Sequence, residues 1–171
     1  MHAAQQAAAV RRLEAEEDER LAVVDALRSQ GLADVAGRLW ARAARVALGV
    51  GRHRVIGCIA AVGSDWVAVA TPAGEVDVPL RACVWLRELA DEPPAVSGPD
   101  AGSPAAGART FAARLAELEV AGALLDVGAD AAELELTGRI VAAARDHVVF
   151  RDVSGVVWHL AALSWVRLRG D

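Results

Sequence analysis

Two stretches of the sequence repeat one pattern, and this repeat constrains the fold more than any other feature. The first stretch is 57–87, GCIAAVGSDWVAVATPAGEVDVPLRACVWLR, and the second is 138–167, GRIVAAARDHVVFRDVSGVVWHLAALSWVR. One residue is lost in the second copy, near Gly74. The matched positions pair Gly57 with Gly138, Asp65 with Asp146, Leu80 with Leu160, Trp85 with Trp165, and Arg87 with Arg167. An internal repeat of this kind predicts that both halves of the chain share one architecture.

Polar and apolar residues alternate in both halves, which is typical of a strand with one face in the core and one in water. In the first half, the apolar face holds Val76, Val78 and Leu80. Its opposite face holds Glu75, Asp77 and Pro79. The apolar set of the second half is Leu134, Leu136 and Ile140, and the polar set is Glu133, Glu135, Thr137 and Arg139.

Glycine, serine and aspartate interrupt this alternation at short intervals and predict tight turns between strands. The first half is therefore expected to form five strands, at approximately 46–51, 54–62, 65–71, 75–80 and 83–88. Many short strands at close spacing favour a barrel or a sandwich over a parallel sheet. The predicted fold class is α+β and mainly β, with N-terminal helices followed by two tandem five-stranded antiparallel barrels, each introduced by a helix. This arrangement resembles the Sm-like and SH3-like small barrels.

A longer pattern carries a second resemblance. Residues 55–67 read V-x-G-x-hydrophobic-x-x-V-G-x-D-W-V, and G-E-x-x-V-P-L and V-W follow. The pattern resembles uncharacterised actinobacterial small-barrel proteins, some of which carry an automatic label as Fis-family transcriptional regulators. The resemblance consists of core and turn positions, so it implies a fold and assigns no catalytic or binding residue. A helix-turn-helix at 16–46 would fit the regulator label, but Leu27 and Gly37 depart from that motif.

The predicted domains follow from composition. Residues 1–47 form an N-terminal helical segment, with helices at 3–30 and 32–46. The apolar stripe of the second helix is Leu32, Val35, Leu39, Ala43 and Val46. The first barrel is expected at 46–90, a flexible linker rich in proline and glycine at 91–107, and a helix plus the second barrel at 108–171.

Localisation is predicted from what the sequence lacks. No apolar run reaches the roughly 20 residues that span a bilayer, and the start has no basic flank followed by an apolar block. We expect a cytoplasmic protein that does not enter a membrane. Cys58 and Cys83 lie in predicted strands and are expected to be buried thiols rather than a disulfide.

Residue types that support catalysis occur here without the spacing that catalysis needs. Zinc-ligand spacings, nucleophile elbows and phosphate-binding loops have no match in the sequence. His147 takes the position that Trp66 holds in the first copy, which favours a half-exposed strand position. Asp65 and Asp146 follow predicted turns, where an aspartate bonds its own backbone. We therefore expect a non-enzymatic protein with no cofactor, no metal and no catalytic residue.

A cluster of arginines is the strongest hint of a ligand. The candidate nucleic-acid-binding residues are Arg38, Arg42, Arg45, Arg52, Arg54 and Trp66. Trp66 is expected to be the surface aromatic, while Trp85, Trp158 and Trp165 fit core positions. Arginines at this density neutralise phosphates and stack on bases, but the net charge of −5 opposes binding to nucleic acid. The alternative is a solvated helix face followed by a turn.

The sequence thus favours an interaction, scaffold or regulatory module that contacts a protein partner or self-associates through barrel edges. One alternative is a regulator that binds RNA or DNA through Arg38–Arg54. Acidic residues on the same face would count against this alternative, namely Glu75, Asp77, Glu133 and Glu135. Another alternative is a small-molecule effector module, which would need a polar pocket between the barrels.

Overall fold

The structure is a computed structural model, and it describes residues 2–89 and 110–169. The described chain divides into two compact units between Leu32 and Ala33. The first unit contains one long helix, α1 (His2–Arg28), whose alanine, glutamate and arginine content favours a helix. Among its exposed side chains are Leu21, Val24 and Leu27. The predicted linker at 91–107 lies outside the described residues.

The described residues of the second unit form two α-helices and ten strands. The helices are α2 (Leu32–Ala41) and α3 (Phe111–Ala121). The strands of the first half are β1 (Arg45–Val50), β2 (His53–Val62), β3 (Trp66–Thr71), β4 (Gly74–Pro79) and β5 (Cys83–Glu88). Those of the second half are β6 (Leu125–Ala129), β7 (Leu134–Ala143), β8 (Val148–Asp152), β9 (Val157–Leu160) and β10 (Trp165–Leu168). The predicted strand positions of the first half are confirmed to within two residues.

The ten strands form one antiparallel sheet in the order β5-β1-β2-β3-β4-β10-β6-β7-β8-β9. The predicted α+β class with mainly β content is therefore confirmed. Two closed barrels are not confirmed, because the sheet does not close on itself. Within each half, the strand order is fifth, first, second, third, fourth, so the two halves share one topology.

Each half has a β-bulge at the same place, and a matched glycine precedes it. The register shifts between Ile59 and Ala61 in the pairing of β2 with β3, and between Ile140 and Ala142 in the pairing of β7 with β8. Just before each bulge lies a glycine whose place no larger residue could take. A Cβ on Gly57 or on Gly138 would lie 2.0 Å from a carbonyl oxygen of the neighbouring strand. The repeat thus preserves these glycines because two backbones approach closely there.

The strand registers correct one alignment of the repeat. Val67 pairs with Val78 in the first half, and Val148 pairs with Leu160 in the second. Because Val148 occupies the place of Val67, Leu160 is the counterpart of Val78 and not of Leu80. The β8–β9 hairpin is one residue longer than the β3–β4 hairpin, and the following connection is two residues shorter.

Helix α2 is shorter than the sequence predicts, since it ends at Ala41 and Val46 already belongs to β1. The cause is Ala43, which adopts a left-handed conformation with φ 50°. Its counterpart after α3 is Gly122, with φ 60°. Both residues end their helix with a backbone N–H bonded to a carbonyl of the last turn, as left-handed caps do. The second half has glycine at this position, the residue that the left-handed conformation favours, whereas the first half has alanine.

Replacing Ala43 with glycine is expected to raise the free energy of unfolding by about 1 kcal/mol, because a left-handed conformation strains any residue that carries a Cβ. Ala41→Gly, inside the right-handed helix, is the matched control and should lower stability by about 1 kcal/mol. Urea denaturation of the two variants and the parent chain measures both effects. Equal losses in both variants would contradict the role of Ala43 as a helix cap.

Two hydrophobic clusters form the core, and each takes a tryptophan from the other half. The first cluster packs Ala36 and Leu39 of α2 on strands β1 to β4 and includes Trp165 of β10. The second packs the buried face of α3, which holds Phe111, Leu115 and Leu118, on strands β6 to β8 and includes Trp66 of β3. Each half therefore completes its own core with a tryptophan of the other half.

Candidate interaction surfaces

The junction between the halves is a strand pair. Strand β4 pairs antiparallel with β10, with Asp77 opposite Val166 and Val76 opposite Arg167. Gly74 opens β4 with φ 115°, and a Cβ there would lie 2.8 Å from the carbonyl oxygen of Leu168. The junction thus joins the fourth strand of one half to the fifth strand of the other.

Asp77 lies at the centre of this junction with no exposed surface. The prediction that it faces water is wrong, because α3 covers that face of β4. Arg114 of α3 donates from Nε to Asp77 Oδ2 at 2.8 Å and from Nη2 to Glu75 Oε1 at 2.7 Å. Its guanidinium also lies over the ring of Trp66, 5.5 Å from the centroid. Arg114 thereby ties the helix of the second half to two strands of the first.

Burial and charge act on the Asp77 carboxyl in opposite directions. Burial raises its pKa, Arg114 lowers it by attraction and hydrogen bonding, and the resulting pKa is about 6. Burial also lowers the pKa of the Arg114 guanidinium, but Asp77 and Glu75 together raise it above its usual value. The second carboxylate oxygen of Asp77, Oδ1, is buried and has no hydrogen-bond partner. The ion pair therefore offsets only part of the desolvation of Asp77.

A second link between the halves is the helix cap at Asp65. The backbone N–H of Phe111, at the start of α3, donates to Asp65 Oδ1 at 2.7 Å. The expectation that Asp65 bonds its own backbone is therefore corrected. Thr110 is the N-cap of this helix and accepts from the backbone N–H of Ala113, while Asp65 of the other half places its carboxylate at the positive end of the helix.

Basic and acidic side chains meet again at the other side of the junction. His53 Nε2 lies 3.3 Å from Asp130 Oδ1 and 3.3 Å from Glu135 Oε1. Arg52 lies 3.6 Å from the same Glu135 carboxylate. The His53 ring also meets the ring of Trp165 edge-on at 5.6 Å. The basic β1–β2 turn of the first half thus contacts the acidic β6–β7 loop of the second.

A cavity of about 420 Å³ adjoins this contact and is lined from both halves. Its polar lining comes from His53, Arg54, Glu135 and Arg167. Arg167 also donates to Asp126, from Nη2 at 2.5 Å and from Nε at 3.1 Å. Burial raises the pKa of Asp126, but hydrogen bonds from Thr137 and Arg167 and the charge of Arg167 lower it by more than burial raises it. The pKa of Asp126 therefore lies below its usual value.

Among residues 2–89 and 110–169, the two end strands of the sheet have one unpaired edge each. Within the described part of the chain, β5 pairs only with β1, and β9 pairs only with β8. Apolar side chains are exposed along both. Val84 and Trp85 of β5 are 73% and 41% exposed, and Val157 of β9 is 46% exposed. A strand edge with exposed apolar residues is a surface that pairs with other chains.

The β9 edge is held in place by an exposed turn. Asp152 Oδ1 accepts from the backbone and the hydroxyl of Ser154 and from the backbone of Val156, and Oδ2 accepts from Trp158 Nε1. The hydrogen bonds from Ser154 and Trp158 lower the pKa of Asp152 to about 2. The carboxylate therefore stays ionised at neutral pH and organises the hairpin that presents β9.

The structure reverses the predicted roles of two tryptophans. Trp66, the expected surface aromatic, is 3% exposed, because Arg114 and the second hydrophobic cluster cover it. Trp85, expected in the core, lies at the exposed edge. Trp165 is buried as predicted, at 8% exposure.

The predicted arginine cluster is already engaged in part. Arg42 forms an ion pair with Glu88 at 3.1 Å, and Arg52 pairs with Glu135. Arg38 and Arg45 also have interaction partners, while Arg54 is exposed beside the cavity. Of the four acids that could neutralise this surface, Glu135 does contact it, and Glu75 and Asp77 are bound to Arg114. A role of these arginines in nucleic-acid binding stays a prediction.

The remaining candidate groups fall into small, separate sets. His147 and His159 lie 5.2 Å apart, and Asp146 bonds His147 Nδ1 at 2.8 Å. Cys58 and Cys83 are free and only partly buried, which corrects the expectation of buried thiols.

Among residues 2–89 and 110–169, no three His, Cys, Asp or Glu side chains are grouped to hold a metal ion. None of the described helices is long and apolar enough to cross a membrane.

Comparison with known proteins gives no relative. No protein-family model matches the chain, and no curated protein or solved structure is significantly similar to it. Its function is therefore argued from its own surfaces.

Sequence reasoning missed Arg114, which contacts Asp77, Glu75 and Trp66 at the junction. It is the only basic residue of α3, and the acid three residues later, Glu117, is one of its partners at 3.4 Å. A single basic residue on a helix is the only signal in the sequence. Its partners Asp77 and Glu75 lie 37 and 39 residues away along the chain.

Proposed function

We propose that this protein is a non-enzymatic interaction module built from two small five-stranded β units of one Sm-like or SH3-like type. The observation that carries the proposal is that, in the described part of the chain, β5 and β9 each have one unpaired edge, at the two ends of one sheet. Each edge exposes backbone donors and acceptors beside apolar side chains. A strand from another polypeptide that adds to such an edge gains main-chain hydrogen bonds and buries the apolar side chains.

The common origin of the two units is part of this proposal. It is supported by the shared strand order, by the paired glycines at the bulges and by the left-handed caps at Ala43 and Gly122. The junction of β4 with β10 supports the proposed use of the edges, because it already joins the two units by adding a strand to an edge.

A labelled peptide with the sequence of residues 163–169, which includes β10, tests this function. The peptide is titrated in excess into dilute protein, and binding is followed by fluorescence anisotropy. We expect saturable binding at the β9 edge, since β9 has the place in its half that β4 has in the first. The matched control peptide carries Val166→Pro, which removes a backbone donor. No binding, or equal binding of both peptides, would refute strand addition as the function.

Binding of RNA or DNA through Arg38, Arg42, Arg45, Arg52 and Arg54 is the alternative that the arginine cluster favours. The burial of Trp66 and the ion pairs of Arg42 and Arg52 count against it. The same anisotropy measurement with mixed-sequence RNA and DNA separates the two functions. Binding that weakens steeply with salt would favour the alternative.

A small-molecule effector site is the other alternative, and the cavity between the halves favours it. A volume of about 420 Å³ lies within the range of small-ligand pockets, and its lining mixes apolar walls with His53, Glu135 and Arg167. A ligand that raises the Tm of the parent chain but not of Arg54→Gln would support a site there.

A further inference from the structure

We propose that copies of this chain assemble head to tail, with the β9 edge of one chain pairing antiparallel with the β5 edge of the next. The inference rests on the proposed function of the edges and names their occupant as a second copy. The β4–β10 junction inside the chain shows the arrangement that such a contact would repeat.

The topology supplies the first argument. Inside the chain, the fourth strand of one half, β4, pairs with the fifth strand of the other, β10. The two edges left over are the fourth strand of the second half, β9, and the fifth strand of the first half, β5. The two free edges are therefore again one fourth strand and one fifth strand, like the two strands paired at the junction. The β9 edge of one chain can pair with the β5 edge of its neighbour in the same way.

The matched tryptophans supply the second argument. Trp165 of β10 lies against Gly128, where a Cβ would come within 2.2 Å of its indole nitrogen. Trp85 of β5 lies against Gly49 in the same way, also at 2.2 Å. The junction leaves Trp165 8% exposed, with His53 of the preceding half against its ring, whereas Trp85 is 41% exposed. The β5 surface therefore matches the β10 surface, except that no preceding half covers it within the described chain.

Complementary differences at the helix supply the third argument. The left-handed caps align α2 with α3 and place Val35 at the position of Arg114. The strand registers place Val157 at the position of Glu75 and His159 at that of Asp77. Where the internal junction joins an arginine to two acids, the contact between chains would join a valine to a valine and a histidine. The helix residue and the strand residues thus differ together between the two contacts: the arginine of α3 faces acids on β4, and the valine of α2 would face uncharged or weakly basic residues on β9.

Charge supplies the fourth argument. At the internal junction, the basic β1–β2 turn of the first half meets the acidic β6–β7 loop of the second. In a head-to-tail contact, the same two loops meet with their roles exchanged, so the charges again attract. Arg54, near the start of β2, and Glu133, just before β7, are both exposed and available for that contact.

Such a contact joins two different surfaces, so every chain keeps one free edge of each kind until the assembly closes. Contacts of this type give closed rings when the rotation per chain closes, and open filaments when it does not. Since each chain holds two five-stranded halves, an assembly of chains contains an even number of such halves.

Two edge variants and their mixture test the proposal by light scattering after size-exclusion chromatography. We expect the parent chain to form an assembly larger than the 17.8 kDa of one chain. Trp85→Arg blocks the β5 edge and Val157→Arg blocks the β9 edge, so each variant alone should have the mass of one chain. Mixed together they should form a species of twice that mass, since one intact edge of each kind is then present.

The matched control is Val120→Arg, which places the same charge on an exposed position of α3 and should keep the parent mass. Circular dichroism melting of all variants checks that each is folded. A parent chain of single-chain mass at high concentration, or a mixture that stays at single-chain mass, would overturn head-to-tail assembly. If the strand peptide still binds in either case, the proposed function stands and only the identity of the partner is wrong.

Discussion

Replacing Arg114 with methionine is expected to lower the free energy of unfolding by about 3 to 5 kcal/mol at pH 8, the loss that follows removal of one partner from a buried ion pair. Methionine keeps an apolar side chain of similar length but leaves the Asp77 carboxylate buried without its cation. The loss should be smaller at pH 5, because Asp77 then takes up a proton and no charge stays buried. Urea denaturation at both pH values measures the difference.

Arg151→Met is the matched control, since Arg151 is an exposed arginine on β8. Surface substitutions of this kind change stability within about 0.5 kcal/mol. The double variant Arg114→Met with Asp77→Asn should recover most of the loss, because it removes both charges. A loss for Arg114→Met that does not depend on pH, and that the double variant does not recover, would mean that Arg114 acts by packing alone.

Asp77 should make the native state less stable as the pH rises from about 4 to about 6. Its native pKa is about 6, above the ordinary 3.8, so the folded chain binds the proton more tightly than the unfolded chain. The resulting stabilisation is fully present below the unfolded pKa and is lost as the pH rises through the folded pKa. A shift of this size corresponds to about 3 kcal/mol.

The comparison of the parent chain with Asp77→Asn isolates this effect, because asparagine does not titrate. The free energy of unfolding of the parent, minus that of the variant, should fall by about 2 kcal/mol between pH 4 and pH 7, since part of the full effect is already lost at pH 4. Asp152→Asn is the control of opposite sign. The pKa of Asp152 is lowered to about 2, so its contribution is present at neutral pH and is lost as the pH falls through about 2. A flat difference for Asp77→Asn would show that the buried carboxyl titrates normally.

The strands were predictable because their signals are local. Alternation of apolar and polar residues and the turns around glycine and aspartate locate β1 to β5 to within two residues. The repeat correctly indicates that the halves share one strand order. It also draws attention to Gly57 and Gly138, whose close approach to a neighbouring strand explains why glycine recurs there.

The end of α2 and the details of the repeat were less predictable. Nothing in the residue type of Ala43 indicates a left-handed cap, since that conformation is usual for glycine. The alignment of Leu80 with Leu160 fails because a longer hairpin and a shorter connection nearly cancel in residue count. Pairing in a sheet depends on strand register, which a residue count does not reveal.

The candidate site was predictable only in outline. The sequence predicted small barrels, whose edges were expected to contact a partner, but it did not indicate which strands lie at the ends of the sheet. Trp66 and Trp85 have similar aromatic character in the sequence, and their exposures depend on which strand meets the other half. The junction of β4 with β10 covers one of them, and the end of the sheet exposes the other.

By itself, the sequence determined the strands of the first half, the mainly β class and the common strand order of the two halves, because these depend on local periodicity and on a repeat. Only the tertiary structure decided that the halves share one sheet, that Asp77 is buried against Arg114 and that, among the described residues, β5 and β9 keep a free edge. These features depend on contacts between residues far apart in the chain. Alternation shows that a strand has two faces, but only packing shows whether water, a helix or another strand covers the polar one.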